Sequence, residues 1–294
     1  MINTYDLQVS QPNNFKQFAV KDMLIVYYRC PQVEKQLSLF THFNEIAFTL
    51  SGKKTIYKGG KSWVLSENKS LFFRRGAYSQ ELDETSGWEV LAFYFKDDFL
   101  RKIFDEYKFH LQLKNLPDPP KETLIEIKVN ETARAFFYSI IPYFNQKQPP
   151  PKNLLESKFK ELLYTILSNP ANAELLAYVN SIQDQYKTPL WEVMEANYTF
   201  NLTIDQFAKI AQRSTATFKR EFYNYFHTTP GKWLTKKRLE HARLKIENTK
   251  DTISAIAYDS GFVNVSHFSR IFKNKYGVSP RAYREKHDSQ QSTH

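Results

Sequence analysis

Two groups of residues near the C-terminal end of the chain combine small, polar and basic side chains at helical spacing. In each group an arginine follows a small residue by four positions: Arg220 follows Ala216, and Arg270 follows Ser266. Residues four apart lie on one face of a helix. A small side chain lets a helix sit deep in a DNA groove, where arginine can donate two hydrogen bonds to guanine and lysine can reach phosphate. The predicted DNA-contacting residues are Thr215, Ala216, Lys219, Arg220 and Tyr223 in the first group and Asn264, Ser266, His267, Ser269, Arg270 and Lys273 in the second.

An internal repeat positions these two groups. Ala208 matches Ala257 at an offset of 49 residues, and Phe218 matches Phe268 at an offset of 50 residues. One residue has therefore been added between the two blocks of matches, and we expect it in a turn. Each copy has the pattern of a helix, a short turn at 212–214 or 260–262, and a second helix.

The second helix of each copy also has an apolar face opposite its polar one. The spacing predicts that Phe218, Phe222 and Tyr225 are buried in the first copy, and Phe268 and Phe272 in the second. An ordinary amphipathic helix with a solvated basic face explains one such copy about as well as DNA binding does. Two copies with matched faces favour DNA binding.

Hydroxyl residues mark the expected helix starts. Thr188, Thr229 and Ser279 each precede a proline, which is typical of an N-cap followed by the first helical residue, and Ser214 is a further predicted N-cap. The segment 230–248 is predicted to be one long helix that connects the two copies. Its basic side chains include Arg238, and a solvated face is the simplest interpretation for at least half of them.

The C-terminal segments Ile253–Phe262, Ser266–Lys273 and Gly277–Arg284 resemble the signature of the AraC/XylS family of bacterial transcription regulators. The resemblance covers about the last 100 residues. It implies two helix-turn-helix units joined by a long helix, DNA-facing residues at the positions named above, activation of transcription, and RNA polymerase as a partner. Gln212 departs from the glycine that is frequent in the first turn of this family, which predicts a different turn or looser docking of the first unit.

The N-terminal third has short strand-like runs separated by turn residues, among them Gly76. Six or more strands at this spacing predict a small antiparallel barrel or jelly roll, whereas residues 1–20 are expected to form a loose lead-in. The predicted strands are Met23–Tyr28, Glu45–Leu50, Lys54–Lys58, Ser62–Leu65, Leu71–Arg74 and Trp88–Phe95. Helical patterns follow at Asp97–Tyr107 and near 130–145, 152–168 and 171–186.

Two of these strand segments, Glu45–Gly52 and Leu71–Tyr78, are similar to the cupin-like N-terminal domain of the same family. The second is also similar to members that activate type III secretion and respond to a protein. A small-molecule effector and a protein effector are therefore both open. The apolar stripes of the following helices suit packing on the barrel and a homodimer interface equally well.

These patterns predict an α+β chain with an N-terminal cupin-like β-barrel, following helices, and an all-α C-terminal domain with two helix-turn-helix units. The predicted divisions are 1–96 for the sensing barrel, 97–187 for a helical linker or dimerisation region, 188–287 for DNA binding, and 288–294 for a tail. The formal charge is +10. Residues 188–294 hold 17 Lys and Arg against 10 Asp and Glu, so most of the surplus lies with the repeats, as a polyanionic partner requires.

The main alternative is a DNA-binding module fused to a cupin-type enzyme. A metal-dependent cupin needs several His and a Glu around one ion, and this region offers His42 and Glu45, for which a surface pair at a strand start is the simpler explanation. The single cysteine, Cys30, is expected to be a small buried apolar residue. Glu81, Asp83 and Glu84 are expected to form a solvated acidic loop. We therefore predict no catalytic residue, metal or cofactor.

Two further observations concern location and mode of action. The N-terminus lacks a signal-peptide pattern and no run is long and apolar enough to span a membrane, so a cytoplasmic protein without a membrane partner is expected. A barrel that serves only for dimerisation, with constitutive DNA binding, is a further alternative.

Overall fold

In the computed structural model, the described residues are 1–21, 23–30, 36–83, 87–183 and 189–291. Contacts between Cα atoms divide the chain into two compact units, Met1–Lys187 and Thr188–His294. The predicted N-cap at Thr188 lies outside the described residues, as does Glu84. No helix in the described ranges is long and apolar enough to cross a membrane.

The N-terminal unit is built on two sheets. Its first elements are β1 (Ile2–Asn3), α1 (Thr4–Ser10), β2 (Lys16–Val20), β3 (Met23–Arg29), β4 (Gln36–Thr41), β5 (Asn44–Ser51), β6 (Lys53–Lys58), β7 (Lys61–Ser66), β8 (Ser70–Phe73), β9 (Gly76–Leu82), β10 (Glu89–Phe95) and β11 (Leu124–Ile127). One sheet has the strand order β1-β4-β9-β6-β7 and the other β11-β8-β5-β10-β3-β2. Neighbouring strands are antiparallel, except that β1 runs parallel to β4.

The two sheets pack face to face and do not close into one barrel. Their inward side chains share one apolar cluster, in which Leu39 and Ile56 of the first sheet meet Phe73 and Val90 of the second. The alternation along each strand decides which residues take part, because successive side chains point to opposite faces. The predicted jelly-roll-like class of fold is therefore confirmed, with more strands than local patterns indicate.

The expectation of a loose lead-in over 1–20 is wrong. Asn3 caps α1 by accepting a hydrogen bond from the Asp6 N–H, and the polar residue Gln8 is buried at 3% exposure. Strand β2 pairs with β3, and β9 begins at Gly76, a residue that we expected to separate strands. Strand β9 is stabilised by β4 and β6, which are distant in the sequence and are not revealed by local composition, whereas β2 is stabilised by the adjacent strand β3.

Helices cover the outer face of the six-stranded sheet. They are α2 (Asp97–Tyr107), α3 (Glu131–Ile140), α4 (Lys152–Leu167) and α5 (Ala173–Ser181). Phe159 of α4 stacks on Phe93 of β10 at 5.2 Å between ring centroids, and Phe137 of α3 stacks on Phe48 of β5 at 4.1 Å. Both faces of this sheet are therefore buried, which explains why every residue of β8 is buried.

In the described residues, the regular secondary structure of the C-terminal unit is entirely helical. The helices are α6 (Leu190–Asn197), α7 (Ile204–Ile210), α8 (Thr215–Phe226), α9 (Pro230–Asn248), α10 (Ile253–Asp259), α11 (Val265–Tyr276) and α12 (Pro280–Gln291). The predicted connecting helix 230–248 is confirmed to the residue. The expected tail over 288–294 is partly helical, because α12 continues to Gln291.

Candidate nucleic-acid interface

The two helix-turn-helix units have matching boundaries. Helix α10 follows α7 by 49 residues, and α11 follows α8 by 50 residues, so the added residue lies in the second turn as predicted. Alignment of the two N-caps, Ser214 and Asn264, identifies it as Val263, which is 68% exposed. An exposed turn position accommodates the insertion without disturbing either helix.

Each second helix begins at a side-chain cap. Ser214 accepts a hydrogen bond from the Thr217 N–H at 3.2 Å, and Asn264 accepts one from the His267 N–H at 2.8 Å. Thr215, a predicted DNA-contacting residue, donates its hydroxyl hydrogen bond to Asp205 at 2.8 Å. Thr215 and Asn264 therefore stabilise their own units, whatever their contribution to DNA binding.

The remaining predicted residues form two surfaces, which we call the α8 face and the α11 face. The α8 face comprises Ala216, Lys219, Arg220 and Tyr223, all of which are exposed. On the α11 face Ser266, His267, Arg270 and Lys273 are exposed and Ser269 is half-buried. Within the described ranges, neither Arg220 nor Arg270 forms an ion pair, so both guanidinium groups are available to an anionic partner.

The opposite side of each helix holds the core of its unit. Phe218, Phe222, Phe268 and Phe272 are all fully buried, as predicted. Tyr225 is 63% exposed, so its predicted burial is wrong. Phe226 packs in its place and stacks on Phe222, with 4.4 Å between the ring centroids. Residues four apart are neighbours on one face of a helix, whereas the burial of Tyr225 was predicted from its spacing of seven residues after Phe218.

Gln212 does not change the first turn. Its φ is +54°, in the left-handed region that Gly261 occupies in the second turn with φ +86°. The hydrogen bonds also match: Arg213 N–H donates to Ala208 O at 2.9 Å, and Phe262 N–H donates to Ala257 O at 3.0 Å. The prediction of a different turn is therefore wrong, and a left-handed non-glycine residue costs about 1–2 kcal/mol instead.

Gly261 is needed for space as well as for its backbone angle. A Cβ at this position would lie 2.8 Å from the Arg238 Nε and 2.8 Å from the Thr199 carbonyl oxygen. Arg238 is itself fixed, because it donates hydrogen bonds to the carbonyl oxygens of Tyr198 at 2.7 Å and Phe200 at 2.8 Å. The 198–200 segment, α9 and the second turn thus meet at one tightly packed point.

The connecting helix α9 packs against both helix-turn-helix units. Near its N-terminal end, Trp233 contacts Phe226 of α8 at 5.6 Å between ring centroids. Further along, Leu239, Ala242 and Ile246 belong to the apolar cluster that contains Phe268. Helices α8 and α11 are therefore both held by α9.

Arg238 is a positioning residue that sequence reasoning missed. Burial lowers the pKa of its guanidinium, which nevertheless stays charged at neutral pH. Lys237 pairs with Glu195 at 2.7 Å and Arg243 with Glu247 at 2.6 Å, so these basic residues of α9 also serve the fold. In the sequence all of them look like a solvated basic face. The partners of Arg238 and Lys237 lie about 40 residues away, and the Arg243–Glu247 pair has the spacing of an ordinary surface pair on one helix.

The two units differ in how the turn is attached to the recognition helix. In the first unit Arg213 donates to Glu221 at 2.5 Å and to the Ala211 carbonyl oxygen at 2.7 Å. The equivalent residues of the second unit are Phe262 and Ile271, which belong to its apolar cluster. An ion pair in one copy therefore corresponds to two members of an apolar cluster in the other.

This correspondence predicts a compensating double substitution. Glu221→Ile alone should destabilise the C-terminal unit by about 1–3 kcal/mol, because it leaves the Arg213 side chain, which is 7% exposed, without its carboxylate. Adding Arg213→Phe should restore most of that loss, since an apolar pair often replaces a buried ion pair without net cost. Urea denaturation followed by helical circular dichroism measures both; additive losses in the double variant would contradict the equivalence.

The two N-terminal residues that were considered as possible metal ligands, His42 and Glu45, are not arranged as expected. Glu45 is 4% exposed and burial raises the pKa of its carboxyl to about 7, although a hydrogen bond from Tyr94 and the Lys54 charge oppose this. His42 instead contacts Asn3, at 2.9 Å. The predicted surface pair of His42 with Glu45 is therefore wrong. The described residues contain no group of three His, Cys, Asp or Glu that could hold a metal.

Cys30 and the acidic segment also differ from expectation. Cys30 is half-buried and accepts a hydrogen bond from the Lys54 ammonium at 3.4 Å, so it is not a simple apolar residue. Glu81 belongs to β9, where it accepts a hydrogen bond from the Tyr57 hydroxyl at 2.9 Å. Pairing between strands accounts for Glu81, which we expected in a solvated loop.

Comparison with known proteins gives matches in both the N-terminal unit and the C-terminal unit. Residues 44–178 match the ExsA N-terminal regulatory domain family, and residues 207–286 match a helix-turn-helix domain family. The chain is similar to the thermoregulatory protein LcrF of Yersinia pestis, with 21% identity over 79% of this chain and 85% of LcrF. It is also similar to the transcriptional regulator ExsA of Pseudomonas aeruginosa, with 22% identity over 81% of this chain and 85% of ExsA.

Among solved structures, ToxT from Vibrio cholerae aligns over 90% of this chain and 98% of its own, with 16% identity and a TM-score of 0.42. The matches with LcrF and ExsA, which are both regulators, cover most of the length of these two proteins. Together with the two matched domains and the duplicated helix-turn-helix units, they show that the chain belongs to the AraC/XylS family of transcription regulators.

Proposed function

We propose that the chain activates transcription by inserting α8 and α11 into two neighbouring major-groove segments of one DNA site. The exposed residues of the α8 face and the α11 face contact base edges and phosphates. The observation that supports this most strongly is the duplication itself: two recognition helices with matched buried faces present an arginine at the same position, Arg220 and Arg270.

The length of α9 fits this use. Its 19 residues span about 28 Å at 1.5 Å per residue. This is comparable with the roughly 34 Å between successive major-groove segments on one side of DNA. A single chain can therefore read both segments without the two-fold symmetry that a protein with one such unit requires, and DNA bending accommodates the remaining difference.

The remaining assignments concern the N-terminal unit and the partners. Its matched family is described as regulatory, and we propose that residues 1–96 sense an effector or partner protein, with 97–187 contributing to a homodimer interface and 188–287 binding DNA. RNA polymerase is the proposed partner in activation, in the bacterial cytoplasm. We assign no catalytic activity to the chain, because its matched relatives are transcription regulators.

The shape of the binding site tests the DNA-binding model. We expect the full chain to select an asymmetric site of about 17–20 base pairs from a random duplex library, with two clusters of contacts about one helical turn apart. Hydroxyl-radical footprinting of the selected site would locate the clusters. Protection of one cluster only, or a short palindrome occupied by two chains, would contradict this model.

A further inference from the structure

Cys30 and Lys54 lie side by side between the two sheets of the N-terminal unit. Cys30 directly follows β3 of the six-stranded sheet, and its N–H donates to the Trp88 carbonyl oxygen at 2.7 Å. Lys54 belongs to β6 of the five-stranded sheet, where the alternation of the strand points it inward together with Ile56. The Lys54 Nζ donates to the Cys30 Sγ at 3.4 Å, so this contact joins the two sheets.

The Lys54 ammonium is held in place by its neighbours. It is 1% exposed, donates to Gln80 Oε1 at 3.1 Å, and lies 3.6 Å from the centre of the Trp88 ring. Burial lowers the pKa of Lys54 to about 8, although its interactions with Cys30 oppose this. The group is mainly charged at neutral pH, but a larger fraction of it is the neutral, nucleophilic amine than in an ordinary lysine. Lys54 can therefore serve both as a proton donor and as a nucleophile.

The same two residues line a cavity of about 290 Å³ that also contains unpartnered acceptors. Two further members of its wall, Gln8 and Glu45, are 3% and 4% exposed. Among the described residues, Oε1 of Gln8 and Oε2 of Glu45 find no hydrogen-bond partner, which is uncommon for buried oxygens in folded proteins. Two such acceptors suit a small guest molecule that carries two O–H donors, as hydrogen peroxide does.

The chain offers an oxidised Cys30 no second thiol, because Cys30 is its single cysteine. The first oxidation product of a cysteine is the sulfenic acid, which can condense with a thiol or with a nitrogen. Within one chain only the second route is open. In the described residues, Lys54 supplies the side-chain nitrogen that is in hydrogen-bond contact with the sulfur.

We propose that Cys30 and Lys54 form a peroxide-sensitive pair, in which hydrogen peroxide converts their contact into a covalent S–N bond. The Cys30 thiolate attacks one peroxide oxygen: the S–O bond forms, the O–O bond breaks, and the leaving hydroxide takes a proton from the Lys54 ammonium. The neutral Nζ then attacks the sulfur of the sulfenic acid: the S–N bond forms, the S–O bond breaks, and the leaving hydroxide takes the proton that the nitrogen releases. The sulfur is oxidised by two electrons, and the peroxide is reduced to two waters.

The new bond ties the end of β3 to β6 and therefore fixes the six-stranded sheet to the five-stranded sheet. A lysine side chain is a flexible four-carbon stem, so the nitrogen reaches the sulfur by rotation of its own bonds. The condensed form of a sulfenic acid is reversible, and a thiol reductant restores the free cysteine. This modification is separate from the DNA recognition proposed above, and its test requires no DNA.

Mass spectrometry of the full chain tests the pair. The chain is treated with hydrogen peroxide at neutral pH and then with iodoacetamide, and its intact mass and tryptic peptides are measured. We expect a product that has lost two hydrogen atoms, resists alkylation, and yields the Cys30 peptide joined to the Lys54 peptide; dithiothreitol should separate them. Cys30 should be consumed at least about tenfold faster than N-acetylcysteine in the same solution, because Lys54 is a positioned proton donor.

Substitution of the lysine separates its two roles from the reactivity of the thiol. Lys54→Met should abolish the link and slow the consumption of Cys30 about tenfold or more, leaving a sulfenic acid that dimedone traps. Lys53→Met, one residue away and exposed, is the matched control and should form the link at the original rate.

Unfolding the original chain in urea is a second control, which keeps the proposal testable if Lys54→Met fails to fold, as judged by circular dichroism. Peroxide should then oxidise Cys30 without linking it to Lys54, since the fixed contact is lost. Several results would overturn the proposal: an equal yield of the link in urea, a link to another nitrogen, a linked peptide that retains an oxygen atom, or a disulfide between two chains as the main product. Consumption of Cys30 no faster than that of N-acetylcysteine would also overturn it.

Discussion

Gly261→Ala is expected to destabilise the C-terminal unit by roughly 2–5 kcal/mol, whereas Gln212→Gly at the equivalent position should stabilise it by a few tenths to about 1 kcal/mol. The two positions share the same left-handed backbone conformation. At Gly261 a side chain also meets the Arg238 guanidinium and the Thr199 carbonyl oxygen at 2.8 Å. At position 212 a side chain is already present, so only the conformational cost is relieved.

Two other glycines provide controls for this experiment. Gly277 has a φ of +83° but open space around its Cβ position, so Gly277→Ala isolates the conformational cost of about 1–2 kcal/mol. Gly231 lies in α9 with open space and no positive φ, so Gly231→Ala should be neutral or stabilising. Urea denaturation followed by helical circular dichroism compares the variants. A Gly261→Ala loss no larger than that of Gly277→Ala would show that the close packing around Arg238 is unimportant.

Arg270→Ala is expected to weaken binding to the selected DNA site by roughly 1–3 kcal/mol, with a much smaller effect on random DNA. Arg270 is exposed on the α11 face, on the side of the helix opposite the buried Phe268 and Phe272. A guanidinium that reads a base loses sequence-specific affinity when removed, whereas one that contacts only phosphate loses affinity on all sequences alike. Fluorescence anisotropy on both DNAs, at one salt concentration, separates these outcomes.

The first unit offers a parallel substitution. Because its turn has the same hydrogen bonds and backbone region as the second, the reason for expecting looser docking of the first unit is removed, and Arg220→Ala should cause a comparable loss. Arg281→Ala is the control, since Arg281 is exposed on α12 beside Glu285, outside both recognition helices. An equal loss from Arg270→Ala on random DNA would show that Arg270 binds phosphate only.

Much of the C-terminal unit follows from the sequence alone, because its determinants are local. N-caps, prolines and apolar spacing predict α9 and the starts of α8 and α12, and the repeat places Val263 in a turn. These signals act within one or two helical turns, so the printed sequence contains them. The exposed Tyr225 shows the limit, because two nearby aromatic residues can compete for one buried position and packing against Trp233 selects Phe226.

Tertiary structure alone decided the rest. Strands β9 and β11 exist through pairing with distant strands, and Arg238 acquires its role from carbonyl oxygens about 40 residues away. The same holds for two buried charged residues of the N-terminal unit: in the sequence Lys54 and Glu45 are ordinary charged residues, and only the facing of the two sheets buries both. Burial and pairing at long range depend on which surfaces meet, and that information lies in no single stretch of the chain.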